Sequence, residues 1–273
     1  MPTDPAQEPN FVISTCGVGV SRPFSALITD TVPNYHLIDT GQCFPLYYYD
    51  RVDDGAALFS EGDESGYTRK DAITDTTLAS YRSRYGNNAE KADIFYYVYG
   101  VLHSPEYKER FAADLKKMIP RIPMVEDFWG FSQAGRDLAT WHLNYETVQP
   151  WPLDEHRAGS GGDVDLHVTK MRFGKAGSVV DKTSIVYNSS LTLSGIPPEA
   201  YQDEVNGKSA IEWIMDRYQV KTDKASGIVN DPSDWATGAG EPRYIVALVK
   251  RLVTVSVETA AIVYRLPTLR LAE

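Results

Sequence analysis

Residues Asp93–Pro123, DIFYYVYGVLHSPEYKERFAADLKKMIPRIP, carry the clearest local grammar in the chain, and the fold is read outward from them. Asp93 is suited to cap a first helix, whose apolar residues Ile94, Tyr97, Val98, Val101 and Leu102 recur on one helical face. Ser104 is suited to cap a second. Pro105 then takes the first helical position, where a missing N–H removes no bond, and Glu106 places negative charge in the first turn. Tyr107, Phe111, Leu115 and Met118 form an apolar stripe, and Pro120 and Pro123 stop the helix. The stretch predicts two consecutive core helices.

The 273 residues suffice for one large domain or two small ones, and 42% hydrophobic content supports a globular core. Apolar runs fall short of the roughly 18 residues needed to span a bilayer, and the Met-Pro-Thr-Asp start lacks the basic and apolar regions of a signal peptide. A cytoplasmic protein without membrane contact is expected, with Cys16 and Cys43 as free, buried thiols. The net charge of −10 opposes free-standing nucleic-acid binding by bulk charge, since phosphate contacts need Lys and Arg. A binding module would need its cations clustered and neighbouring domains to supply more positive surface.

The overall expectation is an α+β fold: a β-rich N-terminal part, a central helical bundle, and a second β-rich part followed by two helices. Residues 1–10 read as a disordered lead-in, 11–153 as strands plus a helical subdomain, and 164–273 as a β/α subdomain. FVISTCGVGV, SALITD and CFPLYYYD read as strands, 51–71 as an acidic loop with Asp53, Asp54, Glu61, Asp63 and Glu64, and Ile73–Arg84 as a short helix. A long helix is expected around Phe128, Phe131, Gly135, Leu138 and His142, and a glycine-rich boundary at 154–163. DLHVTKMRF, KTSIVYN and LTLSG read as strands. Ser209 and Glu212 form a capping box for SAIEWIMDRY, and a last helix opens at Glu241-Pro242 and runs through Ile262.

Catalytic signatures are incomplete. Cys16-Gly17-Val18-Gly19 follows a strand but lacks a third glycine and a following helix, so it reads as a β-turn. Asn230-Asp231-Pro232-Ser233 lacks the second proline and aromatic of an adenine-holding motif and reads as a turn; Gly174-Lys175 lacks the rest of a P-loop and reads as a basic turn. Glu106-Tyr107-Lys108 has the letters of a nuclease motif but falls in a helix. The five histidines show no ligand spacing, and neither Ser194-Gly195 nor Ser104-Pro105 forms a nucleophile elbow. No catalytic residue, metal ligand or cofactor contact is therefore assigned.

Binding remains. Lys170, Arg172, Lys175 and Lys182 face only Asp181 in a strand–turn–strand arrangement able to follow a phosphate backbone or enter a groove. A solvated basic hairpin is the plain alternative. Ser21 and Arg22 lie on the loop after the first strand, and Lys221 and Lys224 precede Gly227; all are candidate DNA contacts. Arg51, Arg69, Lys70 and Arg157 are placed in loops. The tyrosines at 47–49, 96, 97 and 99 fit core or interface better than base stacking.

Three segments carry a resemblance: YYVYGVLHSPEYKERFAADLKKMIPRIP; FSALITDTVPNYHLIDTGQCFPLYYYD; and VNGKSAIEWIMDRYQVKTDKASGIVNDPSDW with LSGIP at 193–197. In this order, from about Phe11 to Pro267, they resemble the C-terminal specificity region of Type ISP restriction–modification enzymes, single chains joining nuclease, translocase, adenine methyltransferase and target recognition domains. The resemblance implies a C-terminal module of a larger enzyme that recognises double-stranded DNA and works beside the methyltransferase domain of its parent chain. The module itself would be non-catalytic; S-adenosylmethionine, ATP and Mg²⁺ would belong to the parent. A structural docking module of the same enzyme, touching no DNA, is the alternative.

Overall fold

The computed structural model describes residues 10–34, 36–51, 67–158 and 164–272. The expected lead-in at 1–9, the acidic loop residues 52–66 and the glycine-rich residues 159–163 lie outside these. The chain forms two compact units, Met1–Leu143 with Ile262–Glu273, and Asn144–Ala261. The division thus falls at Asn144 rather than at the glycine-rich 154–163, and the C-terminal residues from Ile262 join the first unit rather than the second.

In the first unit β1 (Val12–Thr15), β2 (Ala26–Thr29) and β3 (Gln42–Pro45) make an antiparallel sheet in the order β2-β1-β3, and β4 (Tyr47–Arg51) pairs with β5 (Tyr67–Asp71). Arg51, Arg69 and Lys70 thus stand in strands rather than loops; Lys70 pairs with Asp50 at 2.6 Å and Arg69 lies over the Tyr47 ring. All four residues of the central strand are buried. Cys16 is buried but Cys43, on the edge strand β3, is exposed, so only one thiol matches the expected burial.

Five helices follow: α1 (Asp75–Tyr85), α2 (Lys91–His103), α3 (Pro105–Arg110), α4 (Ala112–Leu115) and α5 (Phe128–Leu143). The cap of α2 is Glu90 rather than Asp93. Asp93 sits at the third position, accepting the Glu90 N–H at 2.8 Å, and its other oxygen pairs with Arg136 at 2.5 Å. Ser104 caps α3 as expected, its hydroxyl accepting the Tyr107 N–H.

The second helix is shorter than the stripe suggested. It breaks at Phe111, and Met118 at the stripe's far end is exposed. The chain instead folds back so that three tyrosine hydroxyls find acceptors: Tyr107 donates to the Arg121 carbonyl at 3.0 Å, Tyr97 to that of Pro123 at 2.5 Å, and Tyr85 to that of Val125 at 2.6 Å. A buried phenol without a partner is costly, and these bonds outweigh the helix's continuation. Burial pushes the Tyr107 and Tyr81 phenols up to about 12.

Helices α2 and α5 meet backbone to backbone. A Cβ on Gly135 would stand 1.8 Å from the Tyr96 carbonyl oxygen, and one on Gly100 2.2 Å from that of Phe131. Around this contact Tyr81, Tyr85, Tyr97, Phe128 and Phe131 pack ring against ring, Tyr85 and Phe128 stacked at 4.7 Å.

The second unit holds a four-stranded antiparallel sheet, β6 (Asp154–Arg157), β7 (Arg172–Ala176), β8 (Val179–Val186) and β9 (Leu191–Ser194), in the order β6-β9-β8-β7. After a 3-10 turn at Pro198–Tyr201 come α6 (Ala210–Arg217), the short pair β10 (Lys221–Thr222) and β11 (Val229–Asn230), α7 (Pro232–Gly238) and α8 (Tyr244–Tyr264). Ile211, Ile214, Ile245, Val249 and Val253 pack with Ile185, Tyr187 and Leu193 in its core.

Four expectations are corrected here. Residues 154–157, read as boundary, form β6, so Arg157 too stands in a strand; Glu155 there accepts Arg243 at 2.6 Å and Lys250 at 2.7 Å, tying the sheet to α8. DLHVTKMRF is extended only from Arg172. Upstream, side chains replace the ladder: Tyr187 donates to the Leu166 carbonyl, Asn188 to those of Asp165 and His167, and Ser233 accepts the Val168 N–H. Asn230–Ser233 is not a plain turn but a helix start, with Asp231 capping α7 and Pro232 at its first position, so three helices follow the sheet where two were expected. Gly174-Lys175 lies within β7, at a bulge where a Cβ on Gly174 would meet the Ser184 hydroxyl at 2.0 Å.

Replacing Gly135 with Ala should destabilise the chain by about 1–3 kcal/mol or more through overpacking, read as a lower denaturation midpoint. Gly238→Ala, where an added Cβ meets nothing within 4 Å, should leave the midpoint nearly unchanged.

Candidate nucleic-acid interface

The basic segment folds as a β-hairpin. Ala176 pairs with Val179 across a two-residue turn in which Gly177 takes a positive φ of 66°, the backbone that tight hairpins require. Asp181, the one acid of the segment, is turned onto its own strand. Its carboxylate accepts the Thr183 hydroxyl at 2.6 Å, the Thr183 N–H at 2.9 Å and the Ser184 hydroxyl at 3.0 Å, and these bonds, the Thr183 hydroxyl first, hold its pKa below the usual range.

Lys182 is committed internally. Its ammonium reaches Glu212 at 2.9 Å and lies over the rings of Tyr201 and Phe173, while Glu212 also accepts the N–H and hydroxyl of Ser209 at 2.9 Å each. One carboxylate therefore closes the α6 capping box and binds the hairpin to it. Phe173 packs against the core, so strand alternation turns the neighbouring Arg172 to the other face of β7, where it is exposed. Lys221 is likewise occupied, donating to the Asp216 carbonyl at 2.9 Å.

Lys170, Arg172, Lys175 and Lys224 are exposed and make no ion pair with a carboxylate among the described residues. The Val220 N–H donates to the Thr169 carbonyl at 2.9 Å, so the chain at Lys170 runs beside the start of β10 at Lys221. This brings Lys170 and Lys221 onto adjacent stretches of chain. Ser21 and Arg22 are exposed on the loop between β1 and β2, in the first unit. Two apolar residues, Val179 and Val180, stand 68% and 56% exposed where the hairpin turns. They cap a projecting, cationic element with a surface that water solvates poorly.

One pair was not legible in the sequence. His167 Nε2 meets Asp231 at 2.7 Å across 64 residues, at the edge of a cavity of about 400 Å³ lined also by Leu166, Ser233, Ala236 and Ile245. Partial burial pushes the Asp231 pKa up, but the imidazole and the Ser233 N–H outweigh it and the net shift is downward. Neither residue carries local spacing that announces the other.

The family model described as the Type ISP C-terminal specificity domain matches residues 1–248. No curated protein matches. Among solved structures, a nuclease-deletion mutant of the Type ISP restriction–modification enzyme LlaGI in complex with a DNA substrate mimic is 35% identical, with a TM-score of 0.76, over 97% of this chain and 22% of that one. The ATP-dependent Type ISP enzyme LlaBIII bound to DNA is 33% identical, TM-score 0.82, over 98% of this chain and 17% of that one. The DrdV–DNA complex is 29% identical, TM-score 0.80, over 96% and 25%. This chain thus spans about a fifth of the length of the first two.

Glu212 yields a pH test. Burial alone would raise its pKa, yet Lys182 and Ser209 hold it below its ordinary value, so the folded state binds its proton less tightly than the unfolded chain does. Its contribution is present above the unfolded value of about 4.3 and is lost as pH falls through the folded value. Glu212→Gln should be less stable than wild type at pH 7, and the difference should narrow in urea melts taken toward pH 3.

Proposed function

This chain belongs to the Type ISP C-terminal specificity domain family, and we propose that it is the DNA target recognition module of a Type ISP-like restriction–modification enzyme. The observation that carries the reading is the match of 96–98% of the chain to enzymes solved with DNA. In this reading the chain performs no chemistry. It recognises a short duplex sequence in the cytoplasm and presents it to the methyltransferase domain of the parent polypeptide, whose S-adenosylmethionine, ATP and Mg²⁺ serve methylation, translocation and cleavage elsewhere.

Recognition requires two kinds of contact. Cations hold phosphates and fix the register, while a few side chains read base edges in the groove. Arg172 is suited to either, since its planar fork matches a phosphate or the O6/N7 edge of guanine. Lys170, Lys175 and Lys224 supply phosphate contacts. Lys182 and Lys221, with their charges already engaged inside the unit, contribute by holding the hairpin and the β10 segment in place. Glu155, Glu212 and Asp181 are engaged by partners within the unit and do not pair with these cations.

Arg172→Ala should weaken duplex binding and lower the slope of log K against log salt by about 0.9, the value of one phosphate contact. Lys182→Ala should leave that slope unchanged while lowering the melting temperature. Unaltered affinity in Arg172→Ala across the salt titration would remove the residue from the interface. Exchanging the chain's segment between two such enzymes should move the methylated sequence with it; unchanged methylation sites would favour the docking alternative.

A further inference from the structure

We propose that the first unit carries a second, sequence-independent phosphate-binding ledge, formed by Arg110, Lys116, Lys117 and Arg121. This rests on the reading of the chain as a DNA-recognition module and deepens it, because none of the four belongs to the basic hairpin or its neighbours.

Between Pro105 and Arg121 stand five cations, Lys108, Arg110, Lys116, Lys117 and Arg121, and three carboxylates, Glu106, Glu109 and Asp114. Glu106 is withdrawn, accepting the Leu269 N–H at 2.8 Å. The four named cations are exposed and make no ion pair with a carboxylate among the described residues. Adjacent lysines 116 and 117 repel each other, and an external anion relieves this. In a chain whose overall balance is −10, such a local excess is segregation against the average.

The backbone beneath these cations is fixed. The Tyr107 hydroxyl holds the Arg121 carbonyl at 3.0 Å, and the Gly19 N–H donates to the Lys116 carbonyl at 3.0 Å. The second bond binds the segment to the loop that carries Ser21 and Arg22, so cations about ninety residues apart in sequence sit on joined stretches of chain. Gly19 takes a positive φ of 80°, which lets the loop turn to make that bond. The same loop is also held through Gly17, whose N–H donates to the Asp39 carbonyl at 3.1 Å. A group of exposed cations on anchored backbone fits the evenly spaced anions of a duplex backbone, and its two lysines meet them as point charges without regard to sequence.

The test is a salt titration of the full 273-residue chain on two duplexes, one containing its recognition sequence and one not. The doubly substituted Lys116→Ala/Lys117→Ala chain should lose up to about 1.8 in the slope of log K against log salt, two contacts at 0.9 each. Both duplexes should weaken by the same factor, and Lys116→Arg/Lys117→Arg should restore binding. An unchanged slope, with Arg172→Ala still lowering it, would overturn the ledge and leave the recognition reading standing. Loss confined to the specific duplex would also overturn it, since that is base reading. If the unsubstituted chain binds neither duplex at low salt, the recognition reading itself fails and the ledge with it.

Discussion

The contact between Gly100 and Gly135 is the constraint on which the first unit depends. With a side-chain atom excluded at both positions, α2 and α5 approach until the carbonyls of Tyr96 and Phe131 lie against the opposing glycines. That proximity lets the Ser132 hydroxyl donate to the Asp93 carbonyl at 2.9 Å and Arg136 reach the Asp93 carboxylate, so the capped end of one helix is held by the other. It also draws Tyr97 and Phe131 into one aromatic core with Tyr81 and Phe128. A wider spacing would separate the rings and expose their hydroxyls' partners.

In the second unit charge does comparable work. Glu155 gathers Lys250 of α8 and Arg243 just before it, and Glu212 joins a lysine from the sheet to the start of α6. The Lys182 and Arg243 side chains are about half exposed, so solvent screens these two pairs and each adds only modest stability while holding geometry. Their effect here is selective. By consuming carboxylates within the unit, they leave the exposed cations of the hairpin without internal competitors, although the chain as a whole is acidic.

How much of this was legible depended on range. Ser104-Pro105 and Ser209 with Glu212 announce their helices because a cap is made within four residues, and the structure has both. Met118 misled, since the 3.6-residue stripe cannot register that the Tyr107 hydroxyl demands a carbonyl fourteen residues ahead. Asp154–Arg157 is wholly polar and looks like a linker; it pairs only because Leu191–Ser194 offers an edge. The stretch before Arg172 has strand composition but meets Asn188, Tyr187 and Ser233 instead of a neighbouring strand. For the site, the cations were visible and their commitments were not: Lys182 and Lys221 look as available as Arg172 until Glu212 and the Asp216 carbonyl are placed beside them.

The tyrosines that hold residues 121–125 all donate to main-chain carbonyls. Such an anchor is indifferent to side-chain identity along the segment it grips. The outward-facing positions there are consequently free to drift in character while the backbone keeps its course, so a surface built on this stretch can acquire new preferences without the fold having to be rediscovered.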